Sequence, residues 1–129
     1  MLETVTFRCM IVDDNPDFLA AARDLLRSEQ VEVVGVASTI AEAVRMVGEL
    51  RPDVALVDVY LGPEDGFDLA LRLTGGPEDE FRPVVILIST YAEKDLAEVI
   101  AESPAAGFLN KSELSAAAIQ TVLRRNQIL

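Results

Sequence analysis

Hydrophobic and polar positions along the chain follow two alternating periods. Phe7 to Val12 is a short, partly β-branched apolar run, and after it apolar residues recur at Phe18, Ala22, Leu25 and Leu26, a helical spacing. Val31 to Val36 reads as a second strand, with helical spacing again at Ile40, Ala43, Val44 and Val47. Val54 to Val57 and Val84 to Ile88 are continuous apolar runs. Such runs mark strands buried on both faces of a parallel sheet covered by helices. Gly107 to Leu109 is a weaker fifth strand, and Leu114, Ala118 and Val122 mark a last amphipathic helix. Five strand–helix units with short connections predict one doubly wound α/β domain.

Helix starts are signposted. Asp14 or Asn15 can cap the first helix, with Pro16 in its first turn, and Ser38 or Thr39 can cap the second. Thr74 to Pro83 (TGGPEDEFRP) has the composition of a solvated surface loop. A length of 129 residues, half of them hydrophobic, suits a single packed core and excludes intrinsic disorder. The N-terminal stretch lacks the features of a signal peptide, and no apolar run approaches the ~20 residues of a membrane helix. Cys9 is the single cysteine, so no internal disulfide forms, which fits a reducing cytoplasm.

Charge changes this picture twice. A net charge of −11 disfavours direct contact with nucleic acid or anionic membrane. Residues 53–102 hold twelve acidic and three basic side chains, so an acidic site should lie in or be completed by the middle of the chain. The absence of histidine removes imidazole from catalysis and metal ligation.

The polar residues that interrupt the apolar pattern fall at strand ends. Asp13 and Asp14 close the first strand, Asp58 the third, Ser89 the fourth, and Lys111 follows the fifth. In an open parallel sheet these ends share one edge, where ligands bind. Each residue alone also suits a cap, a turn or a solvated surface. Together, three carboxylates, a hydroxyl and an ammonium would converge in one crevice. Carboxylates so crowded repel one another unless a cation joins them. Oxygen ligands without imidazole or thiolate point to Mg²⁺.

With these residues in place, the chain resembles the receiver domain of two-component response regulators. The matching segments are VDDNP (Val12–Pro16), PDVALVDVYLGPEDGFDLA (Pro52–Ala70), VVILIST (Val84–Thr90) and GFLNK (Gly107–Lys111). The resemblance spans essentially residues 1–129, with no output domain expected in that span. It implies a flavodoxin-like (βα)5 fold with a five-stranded sheet of order 2-1-3-4-5 and five helices. It further implies that Asp58 accepts a phosphoryl group from a histidine kinase or histidine phosphotransfer protein. Mg²⁺ or Mn²⁺ would be held by Asp13, Asp14, Asp58 and the backbone carbonyl of Tyr60. Ser89 and Lys111 would contact phosphoryl oxygens, and Ser89 with Phe108 would switch a protein-binding face on the fourth helix and fifth strand. The implied molecule is a phosphoacceptor switch, acting only on its own phosphorylation state, with a possible homodimer among its assemblies.

The sequence also departs from the family pattern. Ser112 follows Lys111 where proline is usual, and a cis bond there costs ~2.5–4 kcal/mol without proline. Gly62-Pro63 reverses the commoner proline–glycine order, while Gly66 keeps its distance from Asp58. Tyr60 and Tyr91 stand two residues after Asp58 and Ser89, at positions that flank the phosphoryl group in the family. Their rings either restrict attacking water and prolong the phosphoryl state, or simply face solvent. Thr90, where alanine or glycine is commoner, could narrow access for a phosphodonor.

Other functions compete with this one. A Mg²⁺-dependent aspartyl-phosphate phosphohydrolase of the haloacid dehalogenase type needs a second aspartate where Tyr60 stands. A flavodoxin-like cofactor binder would place phosphate where Asp13 and Asp14 repel it. A phosphorylation-independent scaffold has no use for Asp58, Ser89 and Lys111 together. Finally, VEVVGVASTIAEAV resembles receivers that precede helix-turn-helix DNA-binding domains, so the chain could be the N-terminal part of a DNA-binding regulator.

Overall fold

Strand β1 (Arg8–Val12) is an interior strand of the sheet, and its four residues from Cys9 to Val12 are fully buried. Cys9 and Ile11 enter one core layer, while Met10 and Val12 enter the other, because successive strand residues point to opposite faces. Burial pushes the Cys9 thiol up to about 12, so it behaves as a small hydrophobe rather than a nucleophile. The computed structural model describes residues 7–75, 81–91, 95–126 and 128.

Along the chain follow α1 (Pro16–Ser28), β2 (Glu32–Ala37), α2 (Ile40–Leu50), β3 (Val54–Asp58), β4 (Tyr60–Leu61), β5 (Glu64–Asp65) and α3 (Gly66–Thr74). Then come β6 (Val84–Ser89), α4 (Ala97–Glu102), β7 (Gly107–Asn110), a 3-10 turn at Lys111–Glu113, and α5 (Ala116–Arg125). The five long strands form one parallel sheet of order β2-β1-β3-β6-β7, which is the expected 2-1-3-4-5 arrangement once the short β4–β5 hairpin is set apart. One face is covered by α1 and α5, the other by α2, α3 and α4, each with its own hydrophobic core.

Asn15, not Asp14, caps α1, accepting from the backbone N–H of Asp17 and Phe18, and Thr39 rather than Ser38 caps α2. The buried stripe of α1 is Leu19, Ala22 and Leu26, whereas the expected Leu25 is exposed. Val44 is likewise exposed on α2. In the last helix Ile119, Val122 and Leu123 carry the packing, Ala118 is half-buried, and Leu114 is buried just ahead of the helix. A stripe of periodic apolar residues restricts which side of a helix faces inward, yet a rotation of a fraction of a turn still exchanges neighbours such as Leu25 and Leu26. Strand β2 is displaced by one residue from the predicted span, with Val31 buried just before it.

Of the predicted loop, Thr74 ends α3 and residues 76–80 lie outside the described residues. Gly62 has φ +65°, and Gly62-Pro63 links β4 to β5 in a two-residue hairpin loop. A loop with positive φ at its first central position favours glycine there, and proline suits the second, which accounts for the reversed order. The Lys111–Ser112 peptide is trans, since no cis bond occurs among the described residues. No helix among them is long and apolar enough to cross a membrane.

Candidate functional site

Three strand ends and one turn build the site. Asp13 follows β1 and is fixed by two backbone bonds: its own N–H donates to the Ala37 carbonyl at 3.0 Å, and its Oδ1 accepts from Asn15 N at 2.9 Å. Asp14 is exposed beside it. Asp58 ends β3 and is 6% exposed; its Oδ1 accepts from the backbone N–H of Tyr60 at 3.2 Å. Carboxylate oxygens of Asp13, Asp14 and Asp58 come within 4.8 Å of one another.

Lys111 enters from the turn after β7. Its Nζ donates to Asp58 Oδ2 at 3.0 Å and lies 2.5 Å from Asp13 Oδ2. That second approach is an ion pair. Beyond that ion pair, the buried Asp13 Oδ2 has no hydrogen-bond donor among the described residues. The ammonium also sits 4.3 Å from the ring centroid of Phe18 on α1.

Charge at the site is unevenly balanced. Burial raises the Asp58 carboxyl above its ordinary value; the Lys111 hydrogen bond and the Tyr60 N–H oppose that, and the Asp13 charge adds to it. Burial alone would lower the Lys111 ammonium, but the close approach of Asp13, the bond to Asp58 and both negative charges together hold it above the usual lysine range. The asymmetry is physical. Lys111 gains from two carboxylates, while each carboxylate shares one ammonium.

Ser89 reaches the same sheet edge, buried at the end of β6 and paired in register with Asn110. Its Oγ accepts from Tyr91 N at 3.0 Å, so the hydroxyl is held by its own loop. Thr90 is exposed, and its carbonyl and that of Tyr91 accept from the Asn110 amide at 3.4 and 3.3 Å. Phe108 is half-buried against the core beneath α4. The two tyrosines meet: Tyr60 and Tyr91 pack edge to face with ring centroids 5.4 Å apart, joining β4 to the loop after β6, and each remains about half exposed.

Sequence reasoning missed two participants. Phe18 reads as one more apolar helix residue, and its contact with Lys111 joins positions 93 apart in the chain, which no local pattern reports. Asn110, which ties β7 to the loop after β6, stands next to Lys111, and that adjacency was the available signal.

An acidic trio facing a lysine at the carboxyl edge of a 2-1-3-4-5 parallel sheet narrows the field. The family model of the response regulator receiver domain matches residues 9–124. The chain belongs to that family. It is a two-component signal transduction receiver. The receiver is 27% identical over 104 residues to the DNA-binding transcriptional activator EvgA of Escherichia coli K12, covering 81% of this chain and 50% of EvgA. It is 30% identical over 86 residues to protein-glutamate methylesterase/protein-glutamine glutaminase 3 of Hahella chejuensis, covering 67% of this chain and 24% of that protein. The chain thus spans half or less of these curated relatives. Among solved structures, the signal receiver domain of a modulated diguanylate cyclase from Desulfovibrio desulfuricans G20 superposes with a TM-score of 0.75 at 30% identity, covering 94% of this chain and 93% of that one.

Receiver domains of this family generally hold Mg²⁺ in an acidic pocket and interact with histidine kinases and effectors. The residues present fit such an ion. All donors are hard oxygens, and the buried Asp13 Oδ2 has no partner among the described residues beyond its ion pair with Lys111.

Proposed function

We propose that this receiver accepts a phosphoryl group on Asp58 from a histidine kinase or a histidine phosphotransfer protein. The observation that carries the reading is the buried Asp58 carboxylate, hydrogen-bonded to Lys111 and grouped with Asp13 and Asp14. A carboxylate oxygen of Asp58 attacks phosphorus as the donor's P–N bond breaks, and the leaving imidazole takes up a proton. Lys111 offsets charge on the transferred oxygens, a task that positioning and electrostatics perform in phosphoryl transfer generally. Asp13, Asp14, Asp58 and the Tyr60 carbonyl would hold Mg²⁺ or Mn²⁺. When bound, the ion neutralises charge on the phosphoryl oxygens.

Ser89 supplies the switch. Its hydroxyl leaves the Tyr91 N–H and turns to donate to a phosphoryl oxygen, and Phe108 then moves into the space released. The readout is a changed surface at α4 and β7, where a downstream protein or a second copy docks. The setting is the cytoplasm, with no direct nucleic-acid or membrane contact by this domain.

Mass spectrometry after incubation with acetyl phosphate and Mg²⁺ tests the proposal, with Asp58→Asn as control. A phosphoryl adduct on the unaltered protein alone is expected; an adduct on both, or on neither, overturns it.

Tyr60 and Tyr91 set the lifetime of that adduct. Their rings, in edge-to-face contact, would restrict water attacking the phosphoryl group, and Thr90 would narrow access for a phosphodonor. Replacing both tyrosines by small polar residues should shorten the phosphoryl half-life several-fold, and an unchanged half-life would sink the idea.

A further inference from the structure

Lys111 has three N–H donors and no fourth direction to offer. Two face carboxylates, Asp13 and Asp58, and the remaining side of the ammonium meets the Phe18 ring at 4.3 Å, well inside the ~6 Å range of a cation–π contact. Phe18 is half-buried and packs against the rim of the core under α1, whose buried stripe is Leu19, Ala22 and Leu26, so its ring touches both that core and the ammonium. Its mounting is shared with the acidic pair: Asn15 accepts from Phe18 N at 3.3 Å and donates its own N–H to Asp13 Oδ1 at 2.9 Å.

Both charged partners of Lys111 change when the receiver works. On the proposed function, Asp58 would become an acyl phosphate and Asp13 would hold a divalent cation. The neutral ring is the one partner that neither event alters. We infer that Phe18 is a positioning residue, whose ring face keeps the Lys111 ammonium at the site while its carboxylate partners are exchanged. The inference rests on the reading of Lys111 as the phosphoryl contact. A leucine at position 18 would preserve apolar contact but carries no ring quadrupole to attract the charge.

Phosphorylation rates with acetyl phosphate and Mg²⁺ would be compared for the unaltered protein, Phe18→Leu and Phe18→Tyr, each also in a Lys111→Met background. Phe18→Leu should slow the reaction ~3–10-fold. Phe18→Tyr should stay within about twofold, because it keeps the ring face. In the Lys111→Met background Phe18→Leu should add nothing, the result a double-mutant cycle gives when one residue acts through the other. Equal slowing by Phe18→Leu with and without Lys111, or a Phe18→Tyr as slow as Phe18→Leu, overturns the inference. NMR of the metal-free protein gives a readout independent of phosphorylation. The Lys111 side-chain methylene signals should be shifted upfield by the ring and ordered, and Phe18→Leu should abolish both properties. An ammonium that stays ordered in Phe18→Leu means the ring merely fills space. Should the unaltered protein take no phosphoryl group, the phosphoacceptor reading falls, and the NMR comparison still decides whether Phe18 positions Lys111.

Discussion

A β-carbon built on Gly66 would lie 1.9 Å from the Asp58 carbonyl oxygen and 3.0 Å from the Val59 Cα, so the backbone after β3 passes against α3 with no room for a side chain. The Gly66 N–H donates to the Val59 carbonyl at 2.9 Å and locks that approach. Gly66→Ala should therefore push the β3 end outward, costing about 1–3 kcal/mol in urea unfolding and lowering phosphorylation at Asp58. At the same scale, Asp58 is a liability in the metal-free protein. Its folded carboxyl is raised above the ordinary value of 3.8, so the folded state holds this proton more tightly than the unfolded chain. The associated stability is complete below that value and is lost as pH rises through the folded value. Asp58→Asn should consequently raise the melting temperature of metal-free protein at pH 8, with little change at pH 3; a lower melting temperature at pH 8 would refute this. Lys111→Met works in the opposite sense. It leaves Asp13 and Asp58 buried without their cation and should cost about 3 kcal/mol near neutral pH.

Among the elements, the first turn of α1 connects fold to chemistry. Asn15 satisfies two otherwise orphaned helix N–H groups and fixes Asp13. Asn15→Ala should cost ~0.5–2 kcal/mol by chemical denaturation. It should also weaken Mg²⁺ binding by calorimetry, a coupling that an equally costly cap loss at Ser115 on α5 would not show. The long strands were legible because continuous apolar runs permit few other placements, and the polar residues at or just after their ends already placed Asp13, Asp58, Ser89 and Lys111 along one sheet edge as candidates. Less was legible wherever tertiary contact decides. The helical period did not separate Leu25 from Leu26, α4 spans six residues with no side-chain cap, and the Tyr60–Tyr91 and Phe18–Lys111 contacts join loops and elements remote in sequence. The Gly62-Pro63 order looked like a departure, and only the hairpin conformation explained it.

For the molecule as a whole, the parallel sheet separates two cores with different chain origins. The core under α2, α3 and α4 joins Met10 and Val12 of β1 to segments from Ala37 onward, ending with Leu96, Ile100 and Phe108. The core under α1 waits for Leu114, Ile119, Val122 and Leu123. The backbone N–H of Ala116 reaches across to Glu29 Oε1 at 2.7 Å, binding the last helix to the end of the first. During synthesis on a ribosome, one side of the sheet can therefore be roofed while Cys9, Ile11, Val54, Leu56, Ile86 and Ile88 on the other still lack α5. A nascent chain stalled before Ala116 leaves the tunnel should bind a hydrophobic dye and be cut readily by protease. Release of about ten further residues should abolish both, making the emergence of α5 the commitment step for this receiver in the cell.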